Sequence, residues 1–319
     1  DFCLSRGLGD VYKRQVLSYP TIELGGVIWA YFGPAQRQPA PPGMEWARSA
    51  ENRHFVSRTV EYCNYLQAVE GGIDTAHSSY LHNNDLAHQG LRQLDGAPRL
   101  EVQVTDYGFR YASIRDAGQL GNYVRIYQFV MPFHQLRASR FTLSGTEGHE
   151  HTVPTINGHM WVPMDDENTM IFNWMFATDP SRALTPERIQ QAEAAAGRGP
   201  DGETGDVRRR SRANNWLIDR EVQRTKTFTG IQGVNCQDLA VQEAMGRIVP
   251  RWREHLGSTD LAVIAMRRLF LDAVQQVREG SDPPGVNPES YRSVRAAEAI
   301  LPKDAAWQEA ARELLVAAA

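Results

Sequence analysis

Asp74, His77 and His82 fall within the stretch "EGGIDTAHSSYLHNND", residues 70 to 85. Imidazole nitrogens are the commonest metal ligands, and a carboxylate beside one of them orients the ring by accepting its other N–H. Two histidines and one carboxylate leave about three positions of an octahedral iron(II) open, which is what oxygen activation beside a substrate requires. A zinc hydrolase would accept the same ligands, although no His-Glu-x-x-His motif is present. The carboxylate must come from elsewhere in the chain. The candidate is Asp238 in "GVNCQDLAVQEAMG", after the glycine-bearing "FTGIQG" loop and near the start of a predicted helix, with Glu243 and Asp219 as competing choices.

Gly71 and Gly72 precede this set, and each costs about 1 kcal/mol relative to alanine inside a helix. They imply a bend, a break, or close approach of backbone to something. Asp74 and His77 share a face of any helical turn, whereas His77 and His82 lie about 140° apart around a regular helix. The two rings can meet one ion only where the helix ends or widens, and "HNND" supplies helix-stopping residues there.

The elements that must position these residues follow from patterning. "VLSYPTIELGGVIWAYFGP" alternates like strands, while residues 1 to 15 have no clear period and look like extraneous, adapter-like sequence. The proline-rich "PAQRQPAPPGMEW" predicts a linker and a domain boundary near residue 45. "HFVSRTVEYCNYLQAVE" passes from strand to helix. "LEVQVTDYGFRYASIR", "YVRIYQFVMPF" and "TMIFNWMFAT" read as antiparallel strands separated by "DAGQLGN" and "PMDDEN" turns. A helix opens at Thr185 and Pro186, a mobile loop is expected over 197–212, and the chain beyond reads as mostly helical. Its safest element spans 258–280, with Ser258 as cap and Gly280 at its end. The sum is an α+β fold, an antiparallel sheet around a C-terminal helix.

Composition narrows the function classes. The 319 residues carry 34 Lys and Arg against 38 Asp and Glu, a formal charge of −4, so neither the balance nor the short "RRRSR" run argues for nucleic acid. No apolar run approaches the roughly 18 residues of a membrane helix, and a cytoplasmic protein is expected. Cys3, Cys63 and Cys236 are odd in number and far apart, as expected of reduced thiols.

"NYLQAVEGGIDTAHSSYLH" resembles the Asp-x-x-His-x-x-x-x-His iron motif of Rieske non-haem iron ring-hydroxylating oxygenases, specifically the phthalate dioxygenase-like branch. "NNWLIDREVQRTKTFTGIQGVNCQDLAVQEAMGRIVPRWREHLGSTDLAVIAMRRLF" resembles that branch's C-terminal signature, and "YPTIELGGVIWAYFGP" the last strands of its Rieske domain. The resemblance covers about residues 16 to 319.

It implies a helix-grip catalytic domain over 46–319 and a remnant of an all-β Rieske domain over 16–45. It implies His77, His82 and Asp238 as ligands of a mononuclear Fe(II), and Asp74 as the acid bridging the iron to the Rieske [2Fe-2S] cluster of a neighbouring subunit in a trimer. That cluster needs Cys-x-His and Cys-x-x-His pairs, and neither occurs here, so an N-terminally truncated alpha subunit is expected. Further implications are O2, an aromatic acid to be hydroxylated or O-demethylated, and electrons from NADH through a separate reductase. Phe133, Trp161, Phe172, Trp174 and Phe176 could line an apolar pocket, and Arg115 or Arg125 could pair with a substrate carboxylate. A non-enzymatic helix-grip ligand-binding module is the alternative.

Overall fold

The structure is a computed structural model and describes residues 18–87, 90–141, 150–199 and 209–317. The adapter-like residues 1–15 and much of the expected loop over 197–212 lie outside these residues.

Strands β1 (Thr21–Leu24) and β2 (Val27–Ala30) form a hairpin. An eight-stranded antiparallel sheet follows, built from β3 (His54–Glu61), β4 (Arg99–Thr105), β5 (Gly108–Asp116), β6 (Asn122–Val130), β7 (His134–Phe141), β8 (Glu150–Pro163), β9 (Thr169–Ala177) and β10 (Ala297–Leu301). The order β3-β9-β8-β7-β6-β5-β4 is a meander closed at one side by the earliest strand, and β10 pairs with β6. The expected strands and their turns at 118–121 and 164–168 are in place.

Side chains alternate between the two sheet faces. On one face Phe109, Tyr111, Phe129, Trp161 and Ile171 form a cluster with helices α1 (Tyr65–Ile73) and α5 (Leu261–Arg278). On the other, Leu136, Ile156, Met160, Trp174 and Phe176 pack with Met44 and Trp46, and Val27 brings the hairpin into the same cluster. Among the described residues no helix is long and apolar enough to cross a membrane.

Local signals explain the remaining helices. In α3 (Pro186–Ala196), Thr185 accepts the Arg188 N–H, Pro186 occupies the first turn and Gly197 ends the helix at φ +85°. Two expectations need correction. The α-helix of the 258–280 segment starts at Leu261, because Asp260, not Ser258, takes the Gly257 N–H and holds a preceding 3-10 turn. Within the C-terminal stretch expected to be mostly helical, residues 297–301 form the strand β10, since the free edge of β6 beyond its pairing with β7 offers hydrogen bonds that outweigh local propensity.

Gly71 and Gly72 sit inside α1 without breaking it. They permit close approach: a Cβ on Gly72 would come within 2.1 Å of the Trp161 ring, and one on Gly71 within 1.9 Å of the Gln242 amide. Gln135 on β7 also donates to the Gly72 carbonyl at 2.5 Å, so α1 lies directly on the sheet. Trp161 is a buried, rigid ring, whereas the Gln242 amide, though also buried, ends a side chain with rotatable bonds. Gly72→Ala is therefore expected to cost about 1–3 kcal/mol despite its better helix propensity, with Gly71→Ala milder. Thermal denaturation checks this; an unchanged melting temperature for Gly72→Ala would contradict the close approach.

Candidate metal centre

Helix α1 begins at Asn64, whose side chain accepts the Leu66 N–H, and stops when Asp74 turns extended at ψ 138°. Asp74 then starts the next turn. Its carboxylate accepts the N–H of Ala76 at 3.1 Å and of His77 at 2.9 Å, and its Oδ2 lies 2.9 Å from His77 Nδ1. One side chain thus opens the single turn α2 (His77–Tyr80) and aims the His77 ring. His82 follows after α2 has ended, so the regular-helix angle between the two histidines does not apply. Their Nε2 atoms are 3.2 Å apart.

Helix α4 (Val234–Ala244) approaches from the opposite side. Asp238 Oδ1 lies 3.2 Å from His82 Nε2 and 3.6 Å from His77 Nε2, and one donor atom from each of the three residues falls within 4.8 Å of the others. His82 Nδ1 is 2.7 Å from Gln237 Oε1. The rival carboxylates are elsewhere. Glu243 accepts from Tyr62 N and Trp216 Nε1, and Asp219 caps the short helix Arg220–Thr225.

Burial by itself would raise the Asp238 pKa, but the charge and hydrogen bond of His82 and the charge of His77 outweigh it and lower the pKa. Asp74 follows the same logic through His77, so both acids are carboxylates at neutral pH. Burial opposes charge on His77, yet the Asp74 hydrogen bond and the field of Asp238 raise its pKa.

A cavity of about 290 Å³ opens beside the three residues. Of the aromatic candidates, Trp161 and Trp174 line it, although Trp174 also stacks on Trp46 with ring centroids 5.0 Å apart. Phe172 and Phe176 pack in the cluster on the opposite face, and Phe133 lines a separate apolar groove. Arg115 is fully buried and donates to the carbonyls of Thr75 at 2.7 Å and Asp95 at 3.2 Å, which braces the backbone between Asp74 and His77. Arg125 pairs with Glu298 at 2.5 Å. Both guanidinium groups already have partners in the chain.

Residues 30–317 match the family described as LigXa C-terminal domain like. The phthalate 4,5-dioxygenase oxygenase subunit of Pseudomonas putida is 34% identical over 93% of this chain and 68% of its own length. The chain belongs to the Rieske non-haem iron oxygenases, in the phthalate dioxygenase-like branch. This oxygenase chain is also 30% identical to the 3-chlorobenzoate-3,4-dioxygenase oxygenase subunit of Comamonas testosteroni, over 94% of this chain and 72% of the relative. Its fold resembles that of dicamba monooxygenase bound to dicamba, with a TM-score of 0.53 at 18% identity over 82% of this chain and 70% of the other. It is an oxidoreductase, of the same kind as these oxygenase subunits.

Sequence reasoning missed three side chains of this oxygenase. Gln237 immediately precedes Asp238 and faces His82. Arg137 and His159 line the cavity from β7 and β8, where Gln135 pairs with His159 and Arg137 with Asn157. The period of two carried the signal: Leu136 and Ala138 pack in the far cluster, which turns Gln135 and Arg137 toward the cavity. Arg137 makes no hydrogen bond or ion pair with any described residue. Burial and the nearby Arg125 push its guanidinium down to about 10, so it stays charged at neutral pH. His159 is held well below the usual imidazole range by burial and Arg137, and so stays neutral.

Proposed function

We propose that His77, His82 and Asp238 hold a mononuclear iron(II), and that the chain is the catalytic part of an oxygenase component that hydroxylates or oxidatively demethylates an aromatic acid. The observation that carries this is the convergence of three electron-pair donors. Each imidazole Nδ1 faces an acceptor and so holds a ring proton, which makes the two Nε2 atoms, facing each other and Asp238, the ones a cation would take. A bound cation satisfies all three such groups at once. Adjacent ligands about 2.1 Å from one octahedral ion lie ~3.0 Å apart, close to the 3.2, 3.2 and 3.6 Å found here. A mixed nitrogen and carboxylate-oxygen donor set with positions left open suits iron(II), which when bound supplies the activation of O2.

The chain's own residues do the rest. Asp74 fixes the His77 ring and is proposed to bridge it to a Rieske [2Fe-2S] cluster in a neighbouring subunit of a trimer. Trp161 and Ile171 give the cavity an apolar wall, and Arg137, which pairs with no described residue, supplies a fork of donors for a carboxylate. In this reading residues 46–319 form a helix-grip catalytic domain, residues 16–45 belong to a Rieske domain, and electrons arrive from NADH through a separate reductase.

The test is anaerobic loading with Fe(II) followed by iron analysis and aromatic-acid titration. About one iron per chain, with benzoate binding in the loaded protein, is expected. A zinc hydrolase would instead retain activity with zinc and without oxygen. Failure of a folded chain to retain iron would sink the proposal.

A further inference from the structure

His77 and His82 are held by chemically different groups. Asp74, an anion three residues away, accepts from His77, whereas Gln237, a neutral amide 155 residues away, accepts from His82. The amide of Gln237 is fully buried, and its orientation is set by its other partners. Its nitrogen lies 2.9 Å from the Ile231 carbonyl, which can only accept, and 2.7 Å from Asn84 Oδ1. The nitrogen must therefore face these two oxygens, and the amide oxygen must face His82. An oxygen 2.7 Å from Nδ1 holds a ring proton there, which makes Nε2 the nitrogen left to take a metal.

We infer that Gln237 is a positioning residue: it selects the His82 tautomer and joins the segment carrying both histidines to the helix carrying Asp238. This inference rests on the iron reading above. Through Asn84 the amide holds the segment just after His82, and through Ile231 it holds the loop leading into α4. One side chain thus couples the two halves of the site. Partners of this kind are typically worth 10–100-fold in metal affinity.

The experiment uses chain labelled with 15N-histidine, with NMR reporting each ring's tautomer in metal-free protein and anaerobic titration reporting Fe(II) affinity. Gln237→Met keeps side-chain length but removes the acceptor. It is expected to release His82 from the Nδ1–H tautomer and to weaken Fe(II) binding about 10–100-fold, while His77, held by Asp74, keeps its tautomer. Gln237→Glu restores an acceptor and should return His82 to the Nδ1–H form. Unchanged His82 tautomer and affinity in a folded Gln237→Met would overturn the inference. Should that variant not fold, an Nε2–H tautomer of His82 in Gln237→Glu would overturn it equally. A parent chain that shows the Nδ1–H form but binds no Fe(II) would defeat the iron reading and leave the tautomer assignment standing.

Discussion

Asp238→Ala is expected to remove iron binding and with it the stabilisation that iron gives the fold. An ion that binds the folded chain at one hundred times its dissociation constant stabilises it by about 2.7 kcal/mol. For a chain of this size that corresponds to roughly 4 °C in melting temperature. The parent chain should show this rise on anaerobic addition of Fe(II), and Asp238→Ala and His77→Ala should not. The reason is geometric: Asp238 is the group from α4 that closes the set, lying 3.2 and 3.6 Å from the two Nε2 atoms. Glu243 is no substitute, because its oxygens are committed to Tyr62 N and Trp216 Nε1. Iron retained at one per chain with the full thermal shift in Asp238→Ala would remove Asp238 from the site.

The second large effect concerns Arg137. Replacing it by glutamine is expected to weaken benzoate binding to the iron-loaded chain about 10–100-fold, the equivalent of the roughly 1.5–3 kcal/mol that hydrogen bonds to charged groups contribute. Arg137→Lys should fall between, since it keeps the charge and loses the planar fork. The fold should suffer little, because no hydrogen bond or ion pair joins this partly buried guanidinium to any described residue and only the charge of Asp238 attracts it. Arg125→Gln provides the contrast. It leaves Glu298, which is buried, without its 2.5 Å ion pair, so stability should fall. Calorimetric titration with benzoate measures the first effect; equal dissociation constants for parent and Arg137→Gln would show that the carboxylate binds elsewhere.

Residues that settle their bonding within a few positions were legible in the sequence. Thr185, Pro186 and Gly197 bound one helix because a cap accepts an N–H three residues on and a left-handed glycine closes the last turn. The alternation of β5, β6 and β9 marked strands for the same local reason. The spacing of Asp74, His77 and His82 was legible as well, since a carboxylate that opens a turn and orients the next imidazole needs only three residues.

What lay beyond the sequence was set by contacts between distant segments. Three carboxylates could have joined the histidines, and only the placement of α4 against the end of α1 singled out Asp238 for approach to both rings. The glycine pair suggested a bend or a close approach, and the Trp161 ring beneath Gly72 decided for the latter. Arg115 and Arg125 drew notice as the arginines of a strand-rich segment, but their charges are spent on Thr75, Asp95 and Glu298, and Arg137 was left facing the cavity. Whether an arginine is paired depends on side chains brought in by other strands, and Gln237 meets His82 only when helix α4 folds against a segment 155 residues away. Local hydrogen bonding therefore wrote the motif and most of the elements, while packing across the sheet chose which charged groups were left free to do chemistry.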